Sequence, residues 1–482
     1  MNLRGYKIYL LAVLSGTALV FAFPKFDLYA VSWFCLSPFL LSLNRMSNKE
    51  AFRAGIFFGI PYFFGTEYWI YHSINHYGGI PFIPSLALVL LLSLYQSLYT
   101  GIFGLLFSLK IKNTRLPAML LAPLMWVSLE FVRSYALTGF PWSSIGYSQY
   151  KLIPLIQFVD ITGIYGVSFL LMAVNGAIAD IFILKERKDK MPLFSTMPTI
   201  AGYGALISIT LMAVLYGYLR LNELPTGVTF RASIIQGNIP QELKWSPEYQ
   251  RDVIETYKDM TLSANSLSPS LIVWPESAVP FYFMNDPTLT EELIEFQRSL
   301  DTYLLFGAIT IKAVSKDAPP ELSNSAILLN RLSEVGYVYD KIHLVPFGEY
   351  VPLRRMLFFV DKLVAGIGDY TRGDRYIKAE APFGRFGTLI CYEIIFPGLV
   401  RKFYTKDGDF IVTITNDAWF GDTGGPYQHW SMAVFRAIEN RKPLIRAANT
   451  GISGFIDSNG RILKMTPIFE RRILTPSGAR GY

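Results

Sequence analysis

The stretch Gly387-Thr-Leu-Ile-Cys-Tyr-Glu393 joins a short apolar run to a turn that begins with Cys391. The run has the length and composition of a buried strand, so Cys391 is predicted at the end of that strand. A free cysteine is most often a small buried hydrophobic residue. A thiolate at a strand end can also act as a nucleophile. This stretch alone leaves both interpretations open.

Two further motifs follow apolar runs. Val273-Trp-Pro-Glu-Ser277 leaves Glu276 just beyond a strand, and Asp340-Lys-Ile-His-Leu-Val-Pro-Phe-Gly-Glu-Tyr350 leaves Lys341 just beyond another. Singly, the two side chains could be a surface carboxylate and a solvated ammonium. Together with Cys391 they fit one chemistry. A thiolate attacks a carbonyl, a carboxylate carries the proton, and an ammonium stabilises the oxyanion and lowers the thiol pKa.

Histidine is the usual base for a cysteine nucleophile, and the chain has four histidines. His72 and His76 lie in the apolar half. His343 and His429 lie in the polar half and remain candidate bases, since spacing in sequence does not exclude them. The histidines and the two cysteines show no metal-ligand spacing, so neither a metal nor another cofactor is predicted.

The polar half alternates strand-like and helix-like runs, which predicts an α/β fold around a largely buried sheet. The predicted strands are residues 229–235, 271–274, 303–311, 325–329, 335–339, 387–390, 410–415 and 444–447. The predicted helices between them include residues 247–267, 292–300 and 427–440.

The other half has membrane character. The chain is 51% hydrophobic and 17% charged, and residues 1–220 hold most of the apolar runs. A helix that spans a bilayer needs about 20 mostly apolar residues. Seven spans are predicted, at residues 8–23, 28–43, 54–71, 85–109, 116–132, 161–184 and 201–219. The first is expected to be retained rather than cleaved as a signal peptide, because no small-residue cleavage site follows it.

The basic residues of this half predict its orientation. With the N-terminus inside, the cytoplasmic side carries Arg4, Lys7, Arg45, Lys49, Arg53, Lys110, Lys112, Arg115, Lys185, Arg187, Lys188 and Lys190. The opposite side carries Lys25, Lys151 and the boundary residue Arg133. The positive-inside rule therefore places residues after 220 outside the cytoplasm. Because these cations lie between apolar runs and form no single patch, nucleic-acid binding is not expected despite the net charge of +7.

Charged residues also occur within or beside the predicted spans. Glu67, Glu130 and Arg133 are such residues. Charge inside a bilayer is costly, so these side chains are expected to face protein or water and to mark function. For Glu130 and Arg133 the alternative is a position at a helix end in the interface.

Taken together, the three motifs resemble the carbon–nitrogen hydrolase (nitrilase) superfamily, whose Glu, Lys and Cys act on an αββα sandwich. A longer set of motifs, in a fixed order along the chain, makes the resemblance more specific. It comprises Trp69-Ile-Tyr-His-Ser-Ile74, Gly139-Phe-Pro-Trp142, Asp160-Ile-Thr-Gly-Ile-Tyr-Gly-Val-Ser168, Gln236-Gly-Asn-Ile-Pro-Gln241, Lys244-Trp245, Thr415-Asn-Asp-Ala-Trp-Phe-Gly421, Gln428-His429 and Asn449-Thr-Gly-Ile-Ser453. From about residue 10 to about residue 470, the chain resembles the bacterial apolipoprotein N-acyltransferase family.

The resemblance implies roles for seven residues. Glu276 would be the general base, Lys341 the oxyanion stabiliser and Cys391 the acylated nucleophile. Glu349, Tyr392 and Glu393 would support the active site, and Trp245 would lie near the substrate entry. The family moves an acyl chain from a phospholipid, typically phosphatidylethanolamine, to the α-amine of a diacylglyceryl-cysteine on an apolipoprotein. Two substrates that share one thioester predict ping-pong kinetics.

The resemblance also implies a location and an architecture. We expect a multi-pass protein of the bacterial inner membrane with a cytoplasmic N-terminus, a helix bundle at residues 1–220 and a periplasmic catalytic domain at residues 225–482. A monomer is the default expectation. The family would add an eighth span, whereas this chain ends Arg471-Arg-Ile-Leu-Thr-Pro-Ser-Gly-Ala-Arg-Gly-Tyr482 without an apolar run, so a truncated second domain is expected.

Two other functions compete with the acyltransferase. A membrane-tethered amidase of the same superfamily would resolve the thioester with water, but a simple amidase needs no seven spans. A transporter or receptor with an extracytoplasmic binding domain would use no chemistry. It gives no reason for Glu276, Lys341 and Cys391 all to follow strands.

Overall fold

The computed structural model describes residues 3–114, 116–187, 197–223, 229–313, 320–352, 370–405 and 407–476. The chain forms two compact units. The first comprises Met1–Asn75 and Pro81–Glu223, and the second comprises His76–Ile80 and Leu224–Tyr482.

The first unit is helical. Its helices are α1 (Leu3–Val20), α2 (Ser37–Asn44), α3 (Asn48–Glu67), α4 (Trp69–His72), α5 (Phe82–Asn113), α6 (Ala118–Arg133), α7 (Ile153–Ile156), α8 (Val159–Thr162), α9 (Ile164–Arg187) and α10 (Met197–Leu221). The sequence predicted a later start for α3, at residue 54. It begins at Asn48 because Ser47 and Glu50 form a capping box, in which each side chain satisfies the other's main-chain N–H.

Three helices in the described part of the chain are long and apolar enough to cross a membrane: Phe82–Asn113, Ile164–Ile183 and Ala201–Leu221. Shorter apolar helices occur at Tyr9–Val20, Tyr29–Asn44 and Ile153–Thr162. The predicted span at residues 28–43 is broken into a 3₁₀ turn, Tyr29–Trp33, and α2, whose first turn contains a proline. The total of seven spans therefore stays a prediction.

The charged residues of this unit are interior. Glu67, Glu130 and Arg133 are all buried. Gln96 joins two of them, because its amide nitrogen donates to Glu67 and its oxygen accepts from Arg133 at 2.9 Å. Glu67 also accepts from the Ser143 hydroxyl at 2.7 Å. All three groups therefore face protein, and Glu130 and Arg133 do so from the last turn of α6.

The second unit contains two β-sheets and four longer helices in its described part. Its helices are α11 (Gln250–Asn265), α12 (Pro287–Arg298), α13 (Pro397–Tyr404) and α14 (Gly425–Asn440). Its strands are β1 (Ala232–Gln236), β2 (Leu271–Val273), β3 (Val279–Tyr282), β4 (Tyr303–Ala313), β5 (Glu321–Leu329), β6 (Val335–Asp340), β7 (Ala379–Ala381), β8 (Gly384–Ile390), β9 (Phe410–Thr415), β10 (Leu444–Ala448), β11 (Gly454–Ile456), β12 (Ile462–Met465) and β13 (Arg472–Leu474).

Among the described residues, one sheet has the strand order β13-β1-β2-β4-β5-β6, with β3 also paired to β4, and the other has the order β12-β11-β10-β9-β8-β7. The central strands β1, β2 and β4 run parallel, as do β8, β9 and β10. Strands buried on both faces read as continuous apolar runs, and every residue of β9 is buried. This is why the central strands were predictable.

The two sheets face each other through aromatic side chains. The Tyr303 ring of β4 lies 5.2 Å from the Phe383 ring beside β8, and the Tyr337 ring of β6 lies 6.2 Å from Phe386 of β8. Helix α11 packs on the opposite face of the first sheet through a core that includes Tyr257. The two facing sheets match the sandwich that the family resemblance implied.

Candidate active site

Cys391 lies where β8 turns sharply into a 3₁₀ segment, Cys391–Ile395. Its backbone has φ +51°, a left-handed conformation that costs energy for a non-glycine residue. The residue is buried, and the Thr415 hydroxyl forms a hydrogen bond with the thiol. Such a turn persists only where surrounding contacts hold it.

Glu393 provides those contacts. Its carboxylate accepts four hydrogen bonds, from Ile390 N–H (2.8 Å), Tyr339 O–H (2.8 Å), Ile342 N–H (2.7 Å) and His343 N–H (3.1 Å). Burial raises the pKa of Glu393 to about 7, although these donors favour the charged form. One carboxylate therefore joins the turn that bears Cys391 to the loop that bears Lys341.

Lys341 follows β6 and is almost wholly buried between two carboxylates. Its Nζ lies 2.9 Å from Glu349 Oε1 and 3.5 Å from Glu276 Oε1. Burial lowers the pKa of Lys341, but the two carboxylates outweigh burial and hold the pKa above its usual value. The side chain is therefore an ammonium at neutral pH.

Glu276 follows β2 and is buried, with both carboxylate oxygens engaged. Oε1 accepts a hydrogen bond from Asn324 Nδ2 at 2.8 Å, and the same nitrogen donates to Glu349 at 2.9 Å. Oε2 accepts from the main-chain N–H of Asn416 at 2.9 Å. The Glu276 carboxylate is thus fixed in the same cluster as the Lys341 ammonium.

The thiol responds to these charges. Burial raises the pKa of Cys391, Glu276 raises it further, and Lys341 opposes both. The sequence predicted that the ammonium would lower the thiol pKa. Its contribution has that sign, but the net shift is upward, because desolvation of the thiolate is the larger effect. A thiol of this kind rests protonated and needs a base to become a nucleophile.

The two candidate histidines have other partners. His343 stacks on Phe396, with 3.8 Å between ring centres. Burial and, to a smaller extent, the positive charge of Lys341 lower the pKa of His343 to about 4. His429 contacts Asp417 Oδ1 through Nδ1 at 3.0 Å and the Cys391 carbonyl oxygen through Nε2 at 3.2 Å. Both ring nitrogens of His429 are thus engaged with groups other than the thiol. Glu276 therefore stays the predicted base.

The remaining two predicted residues present aromatic rings. Tyr392 lies beside Cys391, with its ring 5.0 Å from Phe396. Trp245 is 39% exposed, and its ring lies 5.8 Å from that of Tyr282. A partly exposed indole has the amphipathic character found at membrane and ligand boundaries.

Several residues of the cluster were missed by sequence reasoning. Asn324 bridges the two carboxylates from the interior of β5, a place that no sequence signal marks. Asn416 was noticed only as part of the motif that begins at Thr415, although it directly follows β9 and the strand-end rule could have singled it out. Lys244 was noticed only as part of a motif, yet its Nζ donates to the Glu276 carbonyl oxygen at 2.9 Å.

Comparison with known proteins gives the family. Residues 15–177 match the model described as the apolipoprotein N-acyltransferase N-terminal domain, and residues 231–477 match the carbon-nitrogen hydrolase model. A curated apolipoprotein N-acyltransferase from Geobacter metallireducens is 41% identical over 468 residues, which are 97% of this chain and 88% of that protein. The chain belongs to the apolipoprotein N-acyltransferase family. The Vibrio cholerae family member is 33% identical over 98% of this chain and 92% of its own.

Among solved structures, a Nesterenkonia amidase of the nitrilase superfamily is 18% identical and covers 53% of this chain and 93% of its own, with a TM-score of 0.39. As an apolipoprotein N-acyltransferase family member, the protein is an acyltransferase of lipoprotein maturation. Membership favours this activity over the membrane-tethered amidase. The long apolar helices are consistent with a membrane protein. The roles given to individual residues remain predictions.

Proposed function

We propose that the protein transfers a fatty acyl chain from a membrane phospholipid, through a thioester on Cys391, to the α-amino group of the N-terminal diacylglyceryl-cysteine of an apolipoprotein. The observation that carries this proposal is the buried cluster of Glu276, Lys341 and Glu349, of which Glu276 and Lys341 interact electrostatically with the Cys391 thiol. Glu276, Lys341 and Cys391 are a base, a cation and a nucleophile, the three groups that acyl transfer requires.

In the first half-reaction, Glu276 accepts the thiol proton and the sulfur of Cys391 attacks the ester carbonyl carbon of the phospholipid. The carbonyl oxygen takes the negative charge, which the Lys341 ammonium stabilises. The bond from carbon to the glycerol oxygen then breaks. Glu276 returns its proton to that oxygen, and a lysophospholipid leaves the acyl thioester behind.

In the second half-reaction, the acceptor α-amine attacks the thioester carbonyl carbon and loses a proton to Glu276. The carbon–sulfur bond breaks, an amide forms, and Glu276 returns the proton to the sulfur of Cys391. The acyl donor and the acyl acceptor use one site in turn, so the mechanism is ping-pong.

The substrates imply a membrane setting. We propose a monomer with phosphatidylethanolamine as the donor, a multi-pass helical region at residues 1–220, and a catalytic domain at residues 225–482 on the periplasmic side of the inner membrane. Support comes from the three long apolar helices and from the basic residues between apolar runs.

A single assay tests the reaction. Purified protein is incubated with phosphatidylethanolamine that carries a labelled acyl chain and with a synthetic diacylglyceryl lipopeptide. The proposal predicts a lipopeptide heavier by one acyl group, linked as an amide, and no such product from the Cys391→Ala variant. Labelled free fatty acid as the sole product would instead identify a hydrolase and overturn the proposal.

A further inference from the structure

Lys244 reaches the catalytic cluster from a separate turn of the chain. Its main-chain N–H donates to the Gln241 carbonyl at 3.4 Å, and the Gln241 side chain accepts from Asn416 Nδ2 at 2.6 Å. The turn is therefore tied to the segment that also binds the Glu276 carboxylate. Lys244 points inward with no exposed surface, whereas the adjacent Trp245 is partly exposed.

The environment of the Lys244 ammonium differs from that of the other buried lysines. Lys341 lies between two carboxylates, and Lys258 likewise contacts Glu255 and Glu292. In the described part of the chain, Lys244 has one hydrogen-bond acceptor, the Glu276 carbonyl oxygen, and no carboxylate within ion-pair distance. A buried charge without an ionic partner is costly, and such groups concentrate at functional sites.

The charges that act on Lys244 are those of the reacting groups. Its ammonium interacts electrostatically with Glu276 and with Cys391. In the cluster of Glu276, Glu349 and Lys341, two carboxylates face one ammonium, which leaves an excess of one negative charge. Lys244 supplies the balancing positive charge. Transfer of the thiol proton to Glu276 moves the negative charge from Glu276 to Cys391. Lys244 interacts with the group that loses the charge and with the group that gains it.

We propose that Lys244 is a second cation of the active site, which stabilises the negative charge as it passes from Glu276 to the Cys391 thiolate and then to the acyl oxygen. This role rests on the proposed function and adds a residue to it. Burial lowers the pKa of Lys244 to about 8, while Glu276 and Cys391 oppose the shift. The ammonium is therefore mostly charged at neutral pH.

The test measures how the rate of Cys391 alkylation by iodoacetamide depends on pH, with intact mass as the readout. All variants carry Cys35→Ser, so that the other cysteine of the chain does not react. Lys244→Met removes the charge and the hydrogen bond, while Lys244→Gln removes the charge but keeps a donor for the Glu276 carbonyl. Both are predicted to slow alkylation at pH 7 by about tenfold. The difference from the parent is predicted to shrink above pH 8, where Lys244 itself loses its proton. Lys258→Met is the matched control, since it removes a buried lysine elsewhere in the same unit.

Two results would overturn the inference. If Lys244→Gln reacts at the parent rate and Lys244→Met reacts slowly, Lys244 acts only through its hydrogen bond to the Glu276 carbonyl. If both variants react as the parent does at every pH, Lys244 does not act on the thiol. Thermal unfolding checks that each variant is folded. If the Met variant is not folded, the Gln variant alone decides the question.

A parallel incubation separates this inference from the proposed function. The parent protein receives phosphatidylethanolamine without acceptor. Absence of an acyl adduct on the parent counts against the proposed function whatever the variants do. An adduct that forms equally fast on the parent and on Lys244→Gln counts against the role of Lys244 alone.

Discussion

Glu393 is predicted to hold the active site together rather than to take part in the chemistry. Its carboxylate accepts four hydrogen bonds that link the turn after β8 to the loop after β6. Glu393→Ala removes all four acceptor contacts and leaves three main-chain N–H groups and one phenol without their partner. The backbone of Cys391, with its positive φ, loses the contacts that hold it.

The magnitude follows from these contacts. A buried donor left without an acceptor costs about 1–3 kcal/mol. Four such donors amount to about 4–12 kcal/mol, which is comparable with the whole stability of a domain, about 5–15 kcal/mol. Glu393→Gln keeps the oxygen that accepts from Tyr339, Ile342 and His343. It replaces the other oxygen with an amide nitrogen, which cannot accept from Ile390 N–H, so one hydrogen bond is lost. Its cost is about 1–3 kcal/mol.

The assay is thermal unfolding in detergent micelles, followed by intrinsic tryptophan fluorescence, which reports on buried Trp274. In a domain of this size, each kcal/mol lowers Tm by about 2–4 °C. We expect Glu393→Gln to lower Tm by about 2–12 °C and Glu393→Ala to lower it further or to prevent folding. Glu380→Ala is the control, because that side chain is 76% exposed and its partner Arg385 is exposed as well. A Glu393→Ala protein with the parent Tm would refute the reasoning.

Three further predictions concern the rate at which Cys391 is acylated, measured by intact mass. Lys341→Met removes the buried ammonium and should slow acylation by about 10²–10³-fold; a loss below tenfold would contradict its role. Glu349→Gln removes the carboxylate that lies nearer to Lys341. The Lys341 ammonium then pairs with Glu276 alone and makes Glu276 a weaker base, so acylation should slow by about 10–100-fold. Because the pKa of His343 is lowered to about 4, its ring stays neutral from pH 5 to pH 8, and His343→Gln should keep the shape of the pH–rate profile over that window.

The sequence predicted the interior of the fold better than its margins. The central parallel strands are buried on both faces, so they appear as apolar runs bounded by turns. Two of the edge strands, β12 and β13, carry no such signal. Every residue of β12 (Ile462–Met465) is exposed, and β13 (Arg472–Leu474) has a single buried residue. These strands form because a neighbouring strand offers hydrogen bonds, which is a property of the assembled sheet.

The site divides in the same way. Lys341 and Cys391 directly follow predictable strands, and Glu276 lies in the loop just beyond another. The sequence could therefore identify the three residues as candidates together. Asn324 and Lys244 enter the cluster from the interior of a strand and from a turn, so their partners follow only from the three-dimensional arrangement. The direction of the Cys391 pKa shift also required the structure, because it depends on how completely the thiol is buried.

The central claim is that Cys391 carries the acyl chain, and intact-mass analysis of the protein after incubation with phosphatidylethanolamine and no acceptor tests it most directly. We predict a mass increase of one fatty acyl group that neutral hydroxylamine removes and that the Cys391→Ala variant does not show. An adduct that persists in Cys391→Ala, or transfer to a lipopeptide by that variant, would contradict the account.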